Sequence, residues 1–226
     1  MRINKYLAAA GLCSRRDAEQ YVLDGRVTCN GEVIYSLATR IGETDRVAVD
    51  GKALFLPERT VVYAYHKPVG VTVSLADPKQ KNLLADHVKD IPERVVPVGR
   101  LDKDSSGLLL LTNDGPLVHR LTHPSFQKEK VYEVRLNRVP KGRDIARFEQ
   151  GILLDGIKTS PAKITRHANG LQIRMREGRN RQIRRMWALL GYEVKKLHRT
   201  EMDGIKLGDL PEGHFRKLSR EERKGL

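Results

Sequence analysis

Two apolar runs separated by a polar loop constrain this chain more than any other feature. Val95–Val98 ends at Gly99, and Leu108–Leu111 begins after Gly107 and is closed by Thr112, Asn113, Asp114 and Gly115. Short apolar runs bounded by glycine and polar residues predict buried strands. The stretch between them, VGRLDKDSSG from Val98 to Gly107, is therefore a loop held between two pieces of core. It crowds Arg100, Asp102, Lys103 and Asp104 together, with Gly99 and Gly107 free to turn the backbone on either side. A carboxylate fixed on a loop by a rigid scaffold is a usual place for chemistry. A charged loop met alone also describes a solvated turn, so the rest of the chain has to decide.

The first 56 residues read as a separate module. Ile3, Leu7 and Ala10 recur at helical spacing and Gly11 ends that helix. Ser14 caps a second helix through a Ser14-x-x-Asp17 box, with Ala18, Tyr21 and Val22 as its apolar face and Gly25 at its end. Arg26–Cys29 and Glu32–Tyr35 predict a hairpin around Asn30-Gly31, and Arg46–Val49 a further strand before Asp50-Gly51. Residues 57–60, opened by Pro57, read as a linker.

From residue 61 the pattern predicts a mixed domain. Strands are expected at 61–66, 131–136, 171–175, 194–197 and 205–207, and helices at 82–88, 116–121 and 144–151. A further helix opening at Gly178 would carry the stripe Ile183, Met186, Trp187 and Leu190 and close at Gly191. The fold class is α+β: a two-helix and hairpin module over 1–56, then an α/β domain over 61–226 dominated by a largely antiparallel sheet.

Charge narrows the function. The net charge is +14 and the pI about 9.9. Residues 1–56 hold 8 Lys and Arg against 7 Asp and Glu, residues 57–173 hold 19 against 13, and residues 174–226 hold 15 against 8. The excess thus lies in the second part of the chain, and a polyanion such as nucleic acid is its first candidate partner. Cys13 and Cys29 have no CxxC spacing and the seven histidines are scattered, so neither a metal nor a disulfide is expected. The apolar Tyr6–Cys13 segment is broken by Gly11 and followed by Ser14-Arg15-Arg16, and no run approaches the ~18 residues a membrane span needs. A cytosolic protein is expected, as a monomer.

Two resemblances add to this reading. RINKYLAAAGLCSRRDAEQYV followed by GRVTCNGEVI resembles the S-four type of RNA-binding domain first seen in a small-subunit ribosomal protein. That resemblance implies RNA contact through Arg2, Lys5, Arg15 and Arg16 at the helix ends; a dimerisation or packing role is the alternative. HKPVGVTVS (66–74), VGRLDKDSSGLLLLTNDG (98–115), KEKVYEVRL (128–136) and EGRNRQIRRMWALLGYEVKKLHRTEMDGIKLGDLPEGHFRKL (177–218) together resemble the RsuA family of RNA pseudouridine synthases, closest in detail to members acting on large-subunit ribosomal RNA. The resemblance spans essentially the whole chain.

It implies an enzyme that isomerises uridine to pseudouridine in ribosomal RNA or in a ribosomal assembly intermediate, without a cofactor. Asp102 matches the essential aspartate, Tyr132 the active-site tyrosine and Arg184 the arginine that pairs with the aspartate. The aspartate either attacks the ribose or removes a ribose proton, and the tyrosine either stacks on the base or takes a proton. On a helix running through Arg184, Arg181 and Arg185 would point away and meet phosphates, together with Arg179, Lys195 and Lys196. Lys67 and Arg100 would shape the cleft edge and touch RNA, and Leu207 would wall the base, with Ile205 an equal candidate by alternation. The uridine must leave its stack to reach Asp102. The rival readings are a non-catalytic RNA-binding assembly factor, and the same enzyme acting on small-subunit or transfer RNA.

Overall fold

The computed structural model describes residues 1–168 and 170–226. The chain divides into two compact units, Met1–Thr60 with Asn113–Gly115, and Val61–Thr112 with Pro116–Leu226. Among the described residues no helix is long and apolar enough to cross a membrane.

In the first unit, helices Ile3–Ala9 and Arg15–Leu23 lie with a four-stranded antiparallel sheet. The Ser14 hydroxyl accepts from the Asp17 amide at 3.2 Å, and the Asp17 carboxylate accepts from the Ser14 amide at 3.3 Å, so the expected capping box forms. Asn30 and Gly31 both adopt positive φ, 54° and 91°, which suits a two-residue hairpin between Cys29 and Glu32. Ile3, Leu7, Ala18, Val22, Val27 and Val47 are buried together. The second arm of the hairpin is only Glu32–Val33, shorter than expected, and a strand at Lys52–Leu54 pairs with Val47–Val49 beyond the Asp50-Gly51 turn.

The second unit is built on a nine-stranded sheet. Ser106–Thr112 lies inside it, antiparallel to Val62–Lys67 on one side and parallel to Val194–Met202 on the other. Val194–Met202 pairs in turn with Lys130–Leu136, which pairs with Gly170–Met175. The four leucines 108–111 divide by alternation: Leu109 and Leu111 join the cluster of Tyr65, Tyr132, Val134 and Trp187, whereas Leu108 and Leu110 join Ala64, Leu117, Leu121 and Leu218. A strand apolar on every residue is thus explained by a sheet covered on both faces. The flanking run before the loop forms only a two-residue strand, Val96–Pro97.

The helix expected from Gly178 begins at Gln182 and runs to Leu189. Its first turn is displaced because Glu177, Arg179 and Gln182 bond one another: the Arg179 amide donates to Gln182 Oε1 at 2.9 Å and Gln182 Nε2 donates to Glu177 Oε2 at 2.7 Å. Arg181 is left at the N-cap in the left-handed region, φ 48° and ψ 31°. The apolar stripe seats the helix through Trp187, whose ring stacks on Phe148 at 4.8 Å and meets Tyr192 edge-on at 5.5 Å. Burying rings of this size contributes about 1.5–3 kcal/mol each.

Candidate active site

The loop of residues 98–107 is fixed from below. Gly70 N donates to Lys103 O at 2.7 Å, and Ser105 N donates to Asp102 O at 3.0 Å. Lys67, at the end of strand Val62–Lys67, is 0% exposed and donates its Nζ to Pro68 O at 2.9 Å and Ser105 O at 2.7 Å. Burial pulls its amine down to about 8, against the opposing charges of Asp102 and Asp104. Lys67 was expected at the cleft edge in contact with RNA; the structure instead buries it as a peg under the loop. A lysine ending an apolar strand looks like a solvated edge, and only the carbonyls it meets reveal otherwise.

Above the loop lies a cleft of about 1020 Å³, lined among others by Arg100, Leu101, Asp102, Tyr132, Arg181 and Arg199. Its described lining holds nine basic residues against three acidic ones. The Asp102 side chain is 29% exposed, so a ligand in the cleft can reach it. Tyr132 is 8% exposed, on strand Lys130–Leu136. Directly opposite it on the neighbouring strand stands Arg199, so the two side chains rise from the same face of the sheet. Arg199 is 2% exposed, and its Nε donates to Leu108 O at 2.7 Å. The apolar pattern ends at Leu197 and so hides it, but the strand continues, and the same alternation two residues further puts Arg199 on the face of Leu197.

The arginines are arranged differently from the expectation. Arg181, not Arg184, is the cation at ion-pair distance from Asp102, with Nη1 3.8 Å from Oδ2. The same guanidinium holds Asp104 in a two-point grip, 2.9 and 2.8 Å. Arg184 turns to Asp104 as well, its Nε 3.2 Å from Oδ2, and donates to the main-chain oxygens of Val194 and Asp104 at 2.8 and 2.7 Å. Its side chain is 14% exposed, and burial holds its guanidinium below the ordinary value. The Arg181 hydrogen bonds, helped by the charges of Arg184 and Arg181, hold the Asp104 carboxyl below its own against burial. Arg181 was expected to point away because the helix was drawn through it; as an N-cap residue in the left-handed region it leaves the helical wheel and leans over the loop.

The remaining residues fall into five groups. Arg100 is exposed on the cleft wall. Arg179 and Arg185 are engaged within the protein, Arg179 with Glu177 and the carbonyls of Ile157 and Lys158, Arg185 with Asp155. Lys195, ion-paired with Glu193, and Lys196 are exposed beside a second hollow that Arg184 also lines. Arg2, Lys5, Arg15 and Arg16 are all exposed on the first unit. Leu207 and Ile205 are buried with Leu108 and Leu110 and do not line the cleft; Leu101, Ile183, Leu197 and Met202 supply its apolar surface instead.

A basic cleft with an accessible aspartate, an arginine beside it and a buried tyrosine is suited to an enzyme acting on RNA. The family of RNA pseudouridylate synthases matches residues 61–189 and the S4 domain matches residues 1–52, and the chain belongs to that synthase family, with an S4 domain ahead of the catalytic one. It is 38% identical to the ribosomal large subunit pseudouridine synthase B of Bacillus subtilis, over 100% of this chain and 95% of that one. It is 41% identical to an RNA pseudouridine synthase of Aquifex aeolicus over 98% and 92%, and 37% identical to the dual-specificity RNA pseudouridine synthase RluF of Escherichia coli over 98% and 77%. A crystal structure of a pseudouridylate synthase superposes with a TM-score of 0.73 at 31% identity, covering 100% of this chain and 99% of that one.

Proposed function

We propose that this enzyme isomerises uridine to pseudouridine in ribosomal RNA, large-subunit RNA first, and that Asp102 carries the chemistry. The observation behind the assignment is one carboxylate open to a basic cleft, with the Arg181 guanidinium 3.8 Å away and Tyr132 on the floor. The choice of RNA is supported by the full-length likeness to a Bacillus subtilis protein named for the large ribosomal subunit. We place this reaction in the cytosol and assign it to a monomer.

The reaction breaks the bond from uracil N1 to ribose C1′, turns the base and forms a bond from C5 to C1′. The C5 hydrogen is lost and N1 gains one, so substrate and product have the same atoms. Asp102 acts as an ionised carboxylate, adding to the ribose carbon or removing a ribose proton. Arg181 sets a fixed positive charge 3.8 Å from that carboxylate. Arg184 works one step back, holding Asp104 and the main chain so that loop 98–107 and Arg181 stay in place. Tyr132 stands beside the base, where its ring stacks or its hydroxyl takes part in moving the C5 proton.

A uridine inside folded RNA must swing out to enter, at a cost of about a few kcal/mol. Arg100 and the other exposed cations offset that cost by meeting phosphates, and the S4 domain adds Arg2, Lys5, Arg15 and Arg16. Asp104 is held by two arginines, which gives it a positioning part beside Asp102.

The test is a base-resolved pseudouridine map of ribosomal RNA from cells with and without the gene, together with Asp102→Asn protein on the same RNA. One or more sites should vanish without the gene. Asp102→Asn should bind RNA and form no pseudouridine. An unchanged map, or full activity in Asp102→Asn, removes the assignment.

A further inference from the structure

Beside the cleft stands a group of three aromatic rings that the chemistry above does not use. Helix Gly115–Thr122 carries His119 on its last turn, and a 3-10 turn, Pro124–Phe126, follows at once. His119 and His123 lie 4.8 Å apart at 32°, and the Phe126 ring meets both edge-on, at 5.7 and 6.3 Å. All three residues are exposed, and Phe126 is exposed at 45%. Solvated phenylalanines occur singly without meaning, but three rings gathered in water without joining either hydrophobic cluster of the domain are a different matter.

The group is also held still. Pro124 opens the turn, the His123 ring accepts from the Ser125 amide at 3.3 Å and bonds the Ser125 hydroxyl at 2.8 Å, and Gln127 takes the left-handed conformation that ends the turn. His123, Pro124 and Gln127 line the same cleft as Asp102 and Arg100. A rigid aromatic surface continuous with a basic cleft fits one class of ligand well: an unpaired nucleobase, which stacks on a ring while its phosphates follow the positive charge. A protein partner would seek apolar area without that excess of cations.

We propose that Phe126, braced by the His123 and His119 rings that meet it edge-on, stacks a nucleobase next to the uridine that enters the cleft. This rests on the reading that the cleft takes ribosomal RNA. The platform supplies part of the binding that pulls the target strand open, and it prefers an unpaired, flippable neighbour over one locked in a helix. Because His123 is already bonded to Ser125, ordering it adds little cost on binding.

The experiment uses the full chain and a large-subunit ribosomal RNA transcript. Phe126→Ala and His123→Ala should each raise KM, roughly fivefold or more for a lost base–ring stack, with kcat at saturating RNA unchanged. Phe126→Tyr should restore KM. An RNA lacking one base beside the mapped uridine should bind the wild type as weakly as intact RNA binds Phe126→Ala, with no further loss when the two changes are combined. Phe126→Trp gives a second readout, because the chain's one tryptophan, Trp187, is fully buried: the new ring's fluorescence should be quenched by RNA. KM within twofold of wild type in both alanine variants, or additive losses at every neighbouring position, would overturn the platform while leaving the enzyme assignment intact. A wild type that forms no pseudouridine in that transcript would overturn the RNA reading and the platform with it.

Discussion

Arg181 grips Asp104 through two nearly parallel bonds, 2.9 and 2.8 Å, and still lies 3.8 Å from Asp102. One planar guanidinium therefore spans both carboxylates of the 98–107 loop. A lysine ammonium is a point charge and cannot make that fork. Arg181→Lys should lower kcat by on the order of 10²-fold, the usual scale for losing a placed charge at a reacting centre. Single-turnover pseudouridine formation at saturating RNA is the measurement; a rate within threefold of wild type would free Arg181 of that role.

Arg184 should behave differently. Its two terminal nitrogens go to the carbonyls of Val194 and Asp104, so it ties helix, strand and loop together. Arg184→Ala leaves the half-buried Val194 carbonyl and the Asp104 carbonyl without a charged donor and should cost about 1–3 kcal/mol of stability. Denaturant unfolding of both variants orders them: Arg184→Ala loses stability and Arg181→Lys keeps it. An unchanged unfolding midpoint in Arg184→Ala, combined with lost catalysis, would restore the direct pairing with Asp102 that the sequence had suggested.

Lys67 gives a prediction in pH. Its amine titrates at about 8 in the folded chain, because burial disfavours the cation. Unfolded lysine titrates near ~10.4. Between those values the unfolded chain binds more protons, so stability rises with pH. Below about 8 the buried charge carries its full cost, and above the unfolded value that cost is gone. The stability of wild type relative to Lys67→Met should therefore improve by about a few kcal/mol from pH 7.5 to pH 10. Urea unfolding of both proteins at each pH isolates the difference, and a flat difference would show that the amine is not held as a strained cation.

The sequence made the frame of this molecule readable and misplaced several of its arginines. Asn30-Gly31, Asp50-Gly51 and the Ser14 box are local devices whose geometry follows from the residues themselves, and each appears as expected. The strand Ser106–Thr112 announces itself by being apolar throughout. Arg181 and Lys67 were misjudged because their positions depend on contacts distant in the chain: Arg181 on Asp104, and Lys67 on Ser105. Leu207 joins the cluster of Leu108 and Leu110, since alternation says that a residue faces a core but not which of two cores. Strands Lys163–His167 and Phe215–Lys217 escaped notice because mixed polar edge strands carry little periodic signal.

Gly107 marks where the chemistry depends on backbone packing. It pairs with Arg199 across the parallel strands, at φ 109°, and a Cβ there would come 2.2 Å from Arg199 O. Gly31 also has positive φ, 91°, but a Cβ there meets nothing within 4 Å. Strain alone should cost Gly31→Ala about 1 kcal/mol. Gly107→Ala adds a main-chain clash and should cost at least ~3 kcal/mol, with loop 98–107 displaced. Thermal unfolding of the pair separates the two effects, and equal losses would mean that the parallel strands part easily.

Arg100 offers a way to count phosphates. It stands exposed on the cleft wall two residues before Asp102, whereas Lys67, equally basic in the sequence, is sealed beneath the loop. A cation that meets a phosphate releases a counterion, and its loss lowers the slope of log affinity against log salt by about 0.7–0.9. A cation buried in the protein releases none. Filter binding of ribosomal RNA from low to moderate salt should then give Arg100→Ala a slope shallower by that amount, and Lys67→Met an unchanged one. Two unchanged slopes would place the phosphate-binding charge elsewhere on the enzyme, and a shallower slope for Lys67→Met would mean that the loop opens to admit the RNA backbone beneath it.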